Sequence, residues 1–140
     1  MGGVDIPYDK GLSGWSDADV ASHAIIDALC GAGNLGDIGT LFPSQQQEYK
    51  DIQSLVLLSK TRKLLETKGC RVVNIDVTII AEAPKLAPFI AEMRRRVSQA
   101  LDIDSTRVTV KATTTNGMGF IGRGEGMAAQ AVALIEKTKS

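Results

Sequence analysis

Apolar and polar residues follow two different spacings along the chain, and these spacings predict where its helices and strands lie. Apolar positions that recur every three or four residues indicate helices, whereas strict alternation indicates half-buried strands. Helices are predicted from Ser16 to about Gly33, from Ile52 to Lys68, from Leu86 to Leu101 and from Met127 to Lys137. Strands are predicted over Met1–Tyr8, Val72–Ile80 and Arg107–Ala112.

This order of elements predicts one α/β (α+β) domain over residues 1–140. Its architecture is expected to be a small mixed sheet with helices packed on one face. In the second strand, one face is expected to carry Val73, Ile75, Val77 and Ile79. Met1–Tyr8 resembles the second half of a β-hairpin, with its glycines at a turn or bulge.

Capping residues refine the helix boundaries. Ser16 is predicted as the N-cap of the first helix, and Asp19, three residues later, completes a capping-box pattern. Pro88 is compatible with the helix that begins at Leu86 only in its first turn.

Composition and charge exclude several classes of protein. Apolar residues make up 44% of the chain and charged residues 23%, which argues against disorder. Sixteen basic residues balance sixteen acidic ones, so no overall field favours nucleic acid or an anionic membrane. No apolar stretch approaches the roughly 18 residues that a membrane span requires. Cys30 and Cys70 are interpreted as buried free thiols in a reducing compartment.

The single histidine, His23, lies in the stretch of the chain that is richest in candidate chemistry. In a helix, Asp19, His23 and Asp27 share one face, because they are spaced four residues apart. A metal ion or a phosphorylated ligand would use these groups, although one histidine cannot make a metal site alone. A satisfied core histidine is the alternative.

Four further segments carry candidate binding groups, each with a structural alternative. The glycine-rich run Asn116–Gly126 could hold phosphate, or could be a β-bulge before a helix. Thr113–Thr115 could offer hydroxyls, or could be β-branched strand residues that satisfy each other. Ala81–Lys85 could contact a nucleotide, with Lys85 on phosphate, or could simply connect a strand to a helix. Asp37 could bind a sugar diol, or could make an Asx-turn.

The order of the motifs is more specific than any one of them. The chain contains Ser-Asp-x-Asp-Val-x-x-His-x-x-x-Asp-Ala-Leu, then Leu-Gly-Asp-Ile-Gly-x-Leu-Phe-Pro, then Asp-Val-Thr-Ile-Ile-Ala-x-Ala-Pro-Lys. Lys-Ala-Thr-Thr-Thr and Gly-Phe-x-Gly-Arg-Gly-Glu-Gly follow. This series resembles the 2-C-methyl-D-erythritol 2,4-cyclodiphosphate synthase family over essentially the whole chain.

The resemblance implies an enzyme of non-mevalonate isoprenoid biosynthesis, a phosphorus–oxygen lyase that releases CMP from 4-diphosphocytidyl-2-C-methyl-D-erythritol 2-phosphate. It implies a homotrimer with active sites between neighbouring subunits, located in the cytoplasm or, in a eukaryote, in the plastid stroma. It also implies two divalent metal ions: zinc, and magnesium or manganese on the substrate diphosphate. Neither nucleic acid nor a membrane is expected as a partner.

The resemblance assigns roles to residues at the matching positions. His23 corresponds to a zinc ligand and Thr114 to the position that stabilises the transition state. The implied substrate-binding residues are Ser16, Asp37, Ile38, Gly39, Phe42, Pro43, Ser44, Gln45, Gln46, Ala81, Pro84, Lys85, Ala87, Thr113, Thr115, Asn116, Phe120 and Arg123.

Departures from the family pattern lower the expected activity. Trp15 stands where many members have a histidine that helps to stabilise the transition state, and Asn116 replaces a glutamate that commonly meets the second metal. Ser44 and Gln46 replace acids. The family's Asp-x-His pair of zinc ligands lies on a first strand upstream of Gly2. We therefore expect the 140-residue form to lack that strand, to bind zinc weakly and to turn over slowly.

Two alternatives remain open at the level of sequence. One is a non-catalytic trimer that binds cytidine nucleotides or an isoprenoid diphosphate. The other is a fragment of a fusion with the preceding cytidylyltransferase of the pathway.

Overall fold

Three strands and five helices make up the part of the chain that the computed structural model describes, which is residues 1–4, 19–43 and 54–138. The helices are α1 (Val20–Ala32), α2 (Ile38–Leu41), α3 (Ser54–Thr67), α4 (Ile90–Leu101) and α5 (Gly119–Gly122). The strands are β1 (Cys70–Ile80), β2 (Val108–Thr113) and β3 (Ala128–Lys137). Short 3₁₀ turns, Ala87–Phe89 and Ser105–Arg107, precede α4 and β2.

The strands form one mixed sheet, as predicted, and their order in it is β2-β1-β3. β1 pairs with β2 in parallel, from Ile75 opposite Val108 to Ile80 opposite Thr113. It pairs with β3 antiparallel along almost its whole length. The parallel pair requires a long crossover, which α4 supplies, and Pro88 lies in the 3₁₀ turn at its start, where no backbone donor is needed.

The last element is a strand, so the predicted helix over Met127–Lys137 is wrong. Small residues alternate with outward-facing ones through this segment, which is the two-residue period of a strand. Alanine favours helices by intrinsic propensity, but here ten residues find a pairing partner in β1. Pairing in the tertiary structure therefore outweighs local preference.

A β-bulge corrects the predicted facing of β1. The pairing register with β3 shifts between Val72 and Asn74. As a result Val72, 5% exposed, is buried in place of Val73, whereas Ile75 and Val77 face the core as predicted. The extra residue reverses the alternation on one side of the bulge.

The three longer helices cover one face of the sheet. α1 packs on β3, α3 on α1 and β1, and α4 on β2 and α3. The largest fully buried side chains include Ile25, Ile26, Leu29, Leu58, Leu65, Ile75, Ile79, Met93 and Leu101. The opposite face of the sheet exposes Val132 (72%) and Leu134 (57%) of β3. In the described part of the chain, no helix is long and apolar enough to span a membrane.

The buried carboxylate of Asp19, which is 6% exposed, joins the N-terminal turn to two helices. Its oxygens accept hydrogen bonds from the backbone N–H groups of Gly2 (2.7 Å), Gly3 (2.9 Å) and Ser22 (3.0 Å). They also accept from the hydroxyls of Ser22 (2.9 Å) and Ser54 (2.5 Å). The N-terminal turn, α1 and α3 therefore meet at one charged group.

Asp19 is itself the N-cap of α1, which corrects the prediction that Ser16 caps this helix. Ser16 lies outside the described residues, as does most of the predicted strand Met1–Tyr8. Burial would raise the pKa of the Asp19 carboxyl. The positive amino group of Met1, 3.9 Å away, and the hydrogen bonds just described outweigh burial and lower that pKa.

Replacing Asp19 with alanine should lower the free energy of unfolding by about 3 kcal/mol, because buried donors lose a charged acceptor. Asp19→Asn, which keeps one acceptor oxygen, should lose less. Urea unfolding at pH 7 measures both changes. Glu66→Gln, at an exposed ion pair on α3, is the control and should stay within about 0.5 kcal/mol of wild type.

The same variants test the ionisation of Asp19. A lowered pKa means that the ionised form stabilises the fold above the ordinary value of 3.8, and that this contribution disappears as pH falls through the folded-state pKa. The stability difference between wild type and Asp19→Asn should therefore be largest near neutral pH and shrink below about pH 4. A constant difference throughout the acid range would contradict this assignment.

Candidate functional site

Two loops leave the sheet side by side, because β1 and β2 are parallel and end at the same edge. Ala81–Lys85, here called the nucleotide loop, follows β1. The threonine loop, Thr113–Gly117, continues from the last residue of β2. The N–H of Ala81 donates to the carbonyl of Thr113 at 3.0 Å, one residue beyond the end of β1. The structure thus brings together two segments that the sequence places about 30 residues apart.

Glu82 joins these loops beyond the last backbone contact of the ladder. One carboxylate oxygen accepts the N–H of Thr115 at 3.3 Å, and the other accepts the N–H of Gly117 at 3.2 Å. Glu82 was not among the residues predicted to belong to the site. The available signal was an acid placed directly after a predicted strand, in a loop otherwise made of Ala, Pro and Lys.

The threonine loop presents hydroxyls at the surface. Thr113 and Thr114 are exposed. The Thr114 hydroxyl oxygen accepts the N–H of Asn116 at 3.2 Å, and the Thr115 hydroxyl donates to the carbonyl of Met118 at 2.7 Å. The Thr114 hydroxyl also donates to the side-chain oxygen of Asn116 at 3.4 Å. The threonines thus bond mainly within their own turn, and a ligand that took the Thr114 hydroxyl hydrogen would replace this long contact.

The nucleotide loop is anchored at both ends and open in the middle. Ala81 and Leu86 are 6% and 4% exposed, whereas Lys85 and Ala87 are exposed and Pro84 is half-buried. The exposed Lys85 ammonium is therefore available to an anion.

The glycine-rich run differs from its prediction, because it leads into β3. Only the four residues of α5 are helical within it, so it offers no long helix whose N-terminus could hold phosphate. Exposed Arg123 donates to both carboxylate oxygens of Glu125, at 2.9 and 3.2 Å. The ring of Phe120 is 53% exposed and lies against Gly126.

A second group of predicted site residues lies at the end of α1. Asp27 accepts the N–H of Ile38 at 3.2 Å, which ties α1 to α2. Asp37 caps α2 by accepting the N–H of Thr40 at 2.7 Å, and the hydrogen bonds from Thr40 lower the pKa of the Asp37 carboxyl. The Asx-type alternative therefore describes the role of Asp37 in the structure, and its side chain is exposed.

The surroundings of this group are partly apolar. Phe42, 8% exposed, is part of the core, Ile38 and Pro43 are half-buried, and Gly39 is exposed. Burial, with added repulsion from the carboxylates of Asp27 and Asp37, raises the pKa of the Cys30 thiol to about 11. Cys30 is therefore a neutral, buried thiol as predicted, whereas Cys70 is only half-buried.

The described residues do not complete a metal site around His23. His23 is half-buried on α1, one turn beyond Asp19. Its backbone N–H donates to the backbone carbonyl of Asp19. The carboxylates of Asp19 and Asp27, its neighbours on the same stripe, accept backbone N–H groups. Within residues 1–4, 19–43 and 54–138, no group of three His, Cys, Asp or Glu residues could hold a metal ion.

Some predicted site residues lie outside the described part of the chain: Trp15, Ser16, Ser44, Gln45 and Gln46. The remaining ones lie in the segments described above, where Glu82 binds the threonine loop and Asp27 binds the start of α2. Their chemistry is that of anion binding and positioning, because it consists of backbone N–H groups, hydroxyls, a lysine and an arginine.

Comparison with known proteins identifies close relatives. The model of the YgbB family matches residues 1–136. The protein named 2-C-methyl-D-erythritol 2,4-cyclodiphosphate synthase from Chlorobium luteolum is 56% identical over 136 residues, which are 97% of this chain and 87% of that protein. The protein of the same name from Methylobacillus flagellatus is 57% identical over 137 residues, 98% of this chain and 86% of that protein.

The chain is also similar to solved structures of proteins named IspDF and IspF. The bifunctional IspDF from Campylobacter jejuni matches with a TM-score of 0.93 and 39% identity, covering 99% of this chain and 37% of that chain. A CDP complex of IspF from Plasmodium falciparum matches with a TM-score of 0.77 and 30% identity, covering 88% of this chain and 74% of that chain. The resemblance predicted from the motifs is confirmed.

Proposed function

We propose that this chain, which belongs to the YgbB family, converts 4-diphosphocytidyl-2-C-methyl-D-erythritol 2-phosphate to 2-C-methyl-D-erythritol 2,4-cyclodiphosphate and CMP. The observation that carries the proposal is the pairing of the nucleotide loop with the threonine loop at one edge of the sheet. Support also comes from synthases that are 53–57% identical over nearly the whole chain.

The reaction needs little covalent chemistry from the protein. An oxygen of the 2-phosphate attacks the β-phosphorus of the diphosphate and forms a new P–O bond. The bond between that phosphorus and the bridging oxygen breaks, and CMP leaves with the electron pair. No water or oxidant is consumed, so the protein must fold the substrate back on itself, exclude water and neutralise charge.

The exposed groups of the two loops suit these tasks. The backbone of the nucleotide loop, with Pro84 and Ala87, would hold the cytidine, and Lys85 would neutralise the diphosphate. The hydroxyls of Thr113 and Thr114 would meet the phosphates, with Thr114 stabilising the charge that develops during attack. The solved CDP complex of a relative supports a cytidine-diphosphate-linked ligand.

The remaining predicted residues complete the proposed substrate site. The group near Asp37 would contact the ribose or the methylerythritol, since the exposed carboxylate of Asp37 can accept from a diol. We keep in the same site the other residues implied by the family resemblance: Trp15, Ser16, Ile38, Gly39, Phe42, Pro43, Ser44, Gln45, Gln46, Ala81, Thr115, Asn116, Phe120 and Arg123.

Thr114→Val tests the proposed function at one atom. The substitution keeps the shape of the side chain but removes the hydroxyl, so kcat for CMP release should fall about 100-fold while CDP affinity changes little. Thr114→Ser is the matched control and should retain activity. Phosphorus NMR follows the cyclic product, and calorimetry follows CDP.

The same assays on the wild-type protein distinguish the proposed cyclisation from non-catalytic binding of a cytidine nucleotide. CMP release with formation of the cyclic diphosphate is the expected result. CDP binding without any CMP release would favour the non-catalytic cytidine-nucleotide-binding protein instead, and absence of both would contradict both functions.

We also propose that His23 supplies one ligand to a divalent metal ion, the other protein ligands in the family being the Asp-x-His pair that the resemblance places upstream of Gly2. The described residues alone do not fit a complete site, so no step above depends on the metal. When bound, such an ion would add positive charge beside the substrate phosphates.

Zinc binding tests the role of His23 without an activity assay. Because zinc sites use three or more protein ligands, His23→Gln should weaken zinc binding at least tenfold, as measured by competition with a chromogenic chelator. Cys70→Ser is the control for binding to a half-buried thiol and should leave the affinity unchanged. Equal zinc affinity of wild type and His23→Gln would refute this ligand.

A homotrimer with active sites between subunits is the proposed assembly. The supporting observation is the sheet face opposite the helices, where Val132 and Leu134 of β3 stand exposed two residues apart. An ion pair between Lys111 and Asp76, 3.0 Å apart, also lies on the side of the sheet away from the core. Apolar side chains of this size, on a sheet face that none of the described helices covers, favour contact with other subunits.

Val132→Glu should convert the trimer to monomers, because three buried carboxylates would have no partner in the interface. Sedimentation equilibrium measures the mass, and circular dichroism shows whether the monomer stays folded. Val56→Glu, which changes an exposed valine on α3, is the matched control and should remain trimeric. A trimer in both variants would place the interface elsewhere.

A further inference from the structure

We propose that Glu82 is a positioning residue for the cyclisation: it holds the threonine loop against the nucleotide loop and thereby places the Thr114 hydroxyl. This inference rests on the proposed function. It concerns a residue that makes no contact with substrate in the proposal, and that acts through the loop it binds.

The geometry of the contact indicates a clamp. The two oxygens of Glu82 each accept one N–H, from Thr115 and from Gly117, two residues apart in the same loop. When each oxygen of one carboxylate accepts a different backbone N–H, the loop is fixed at two points. The segment between these points is then restrained in both position and orientation. Asn116 lies within that segment, and Thr114 directly precedes it.

The threonine loop is no longer paired with β1 at the residues that Glu82 binds. The pairing of β1 with β2 ends at Thr113, and Glu82 accepts the N–H of Thr115. The backbone contact of Ala81 with Thr113 is the last between these two segments that belongs to the strand pairing. Asn116 and Gly117 have φ of 55° and 77°, so the chain turns in the left-handed region immediately afterwards. A loop that turns away from its neighbouring strand needs another acceptor for its N–H groups, and Glu82 supplies it.

The loop is also held by close packing against α5. A Cβ atom at Gly122 would lie 2.1 Å from the carbonyl carbon of Gly117, so the backbone of α5 approaches the loop as near as a glycine permits. Gly117 therefore contacts both the Glu82 carboxylate, through its N–H, and the backbone of α5.

A negative charge beside a phosphate site needs a structural reason, since it repels the substrate. At Glu82 that reason is the pair of N–H groups, which partly offset its charge. The nucleotide loop has separate anchors in buried Ala81 and Leu86, which do not depend on Glu82. Loss of the carboxylate should therefore loosen the threonine loop more than the nucleotide loop.

Glu82→Ala should lower kcat for CMP release by about 30-fold, with the dissociation constant of CDP changed less than threefold. Glu82→Gln, which has the same length and keeps one acceptor oxygen, should recover most of the lost activity. Glu66→Ala, at an exposed position of α3 far along the chain from both loops, is the control and should match wild type.

A double-mutant cycle shows whether Glu82 acts through Thr114. If it does, Thr114→Val should lower kcat much less in the Glu82→Ala background than in wild type, because the hydroxyl is already misplaced. Additive losses, a wild-type kcat in Glu82→Ala, or a parallel loss of CDP affinity would each overturn the proposal.

Amide hydrogen exchange tests the clamp independently of catalysis. In Glu82→Ala the N–H groups of Thr115 and Gly117 should exchange at least tenfold faster, while that of Ala81 should be unaffected. Unchanged exchange at Thr115 and Gly117 would overturn the clamp even in an active enzyme. If exchange is faster in Glu82→Ala but the wild-type protein releases no CMP, the clamp is supported and the proposed function is refuted.

Discussion

The parallel pairing of β1 with β2 is the constraint on which the candidate site depends. Parallel neighbours must end at the same edge of the sheet, so the loops after Ile80 and Thr113 emerge together. The lysine and the threonine hydroxyls of these two loops therefore belong to the same edge of the sheet. α4 makes this arrangement possible, because it carries the chain back across the sheet between the two strands.

Carboxylates that accept backbone N–H groups hold the loops around this frame. Asp19 accepts N–H groups of the N-terminal turn, Asp27 accepts one from the start of α2, and Glu82 accepts those of the threonine loop. Each of these acids meets donors that have no partner in a helix or sheet ladder, where a hydrogen bond to a charged acceptor is worth more than one to a neutral group. Residues that look like candidate ligands in the sequence can therefore be structural acceptors.

Sequence periodicity predicted most elements, and it failed where two signals competed. The predicted bounds of α3 and α4 lie within four residues of the described ones, because each helix buries one continuous apolar stripe. β3 was missed because its inward face is mostly alanine, which fits a helix equally well by size and propensity. The bulge after Val72 could not be predicted, since only the pairing with β3 reveals the shift.

The sequence by itself determined the family, because the ordered motifs around His23, Asp37, Lys85 and Thr114 are local strings of residues that can be read without coordinates. It also determined the helical segments whose apolar period is unambiguous. Only the tertiary structure decided that the last segment is a strand, and that Glu82 bonds to residues 33 and 35 positions away. Such contacts depend on which strands become neighbours, and pairing over that distance leaves no periodic signal in the chain.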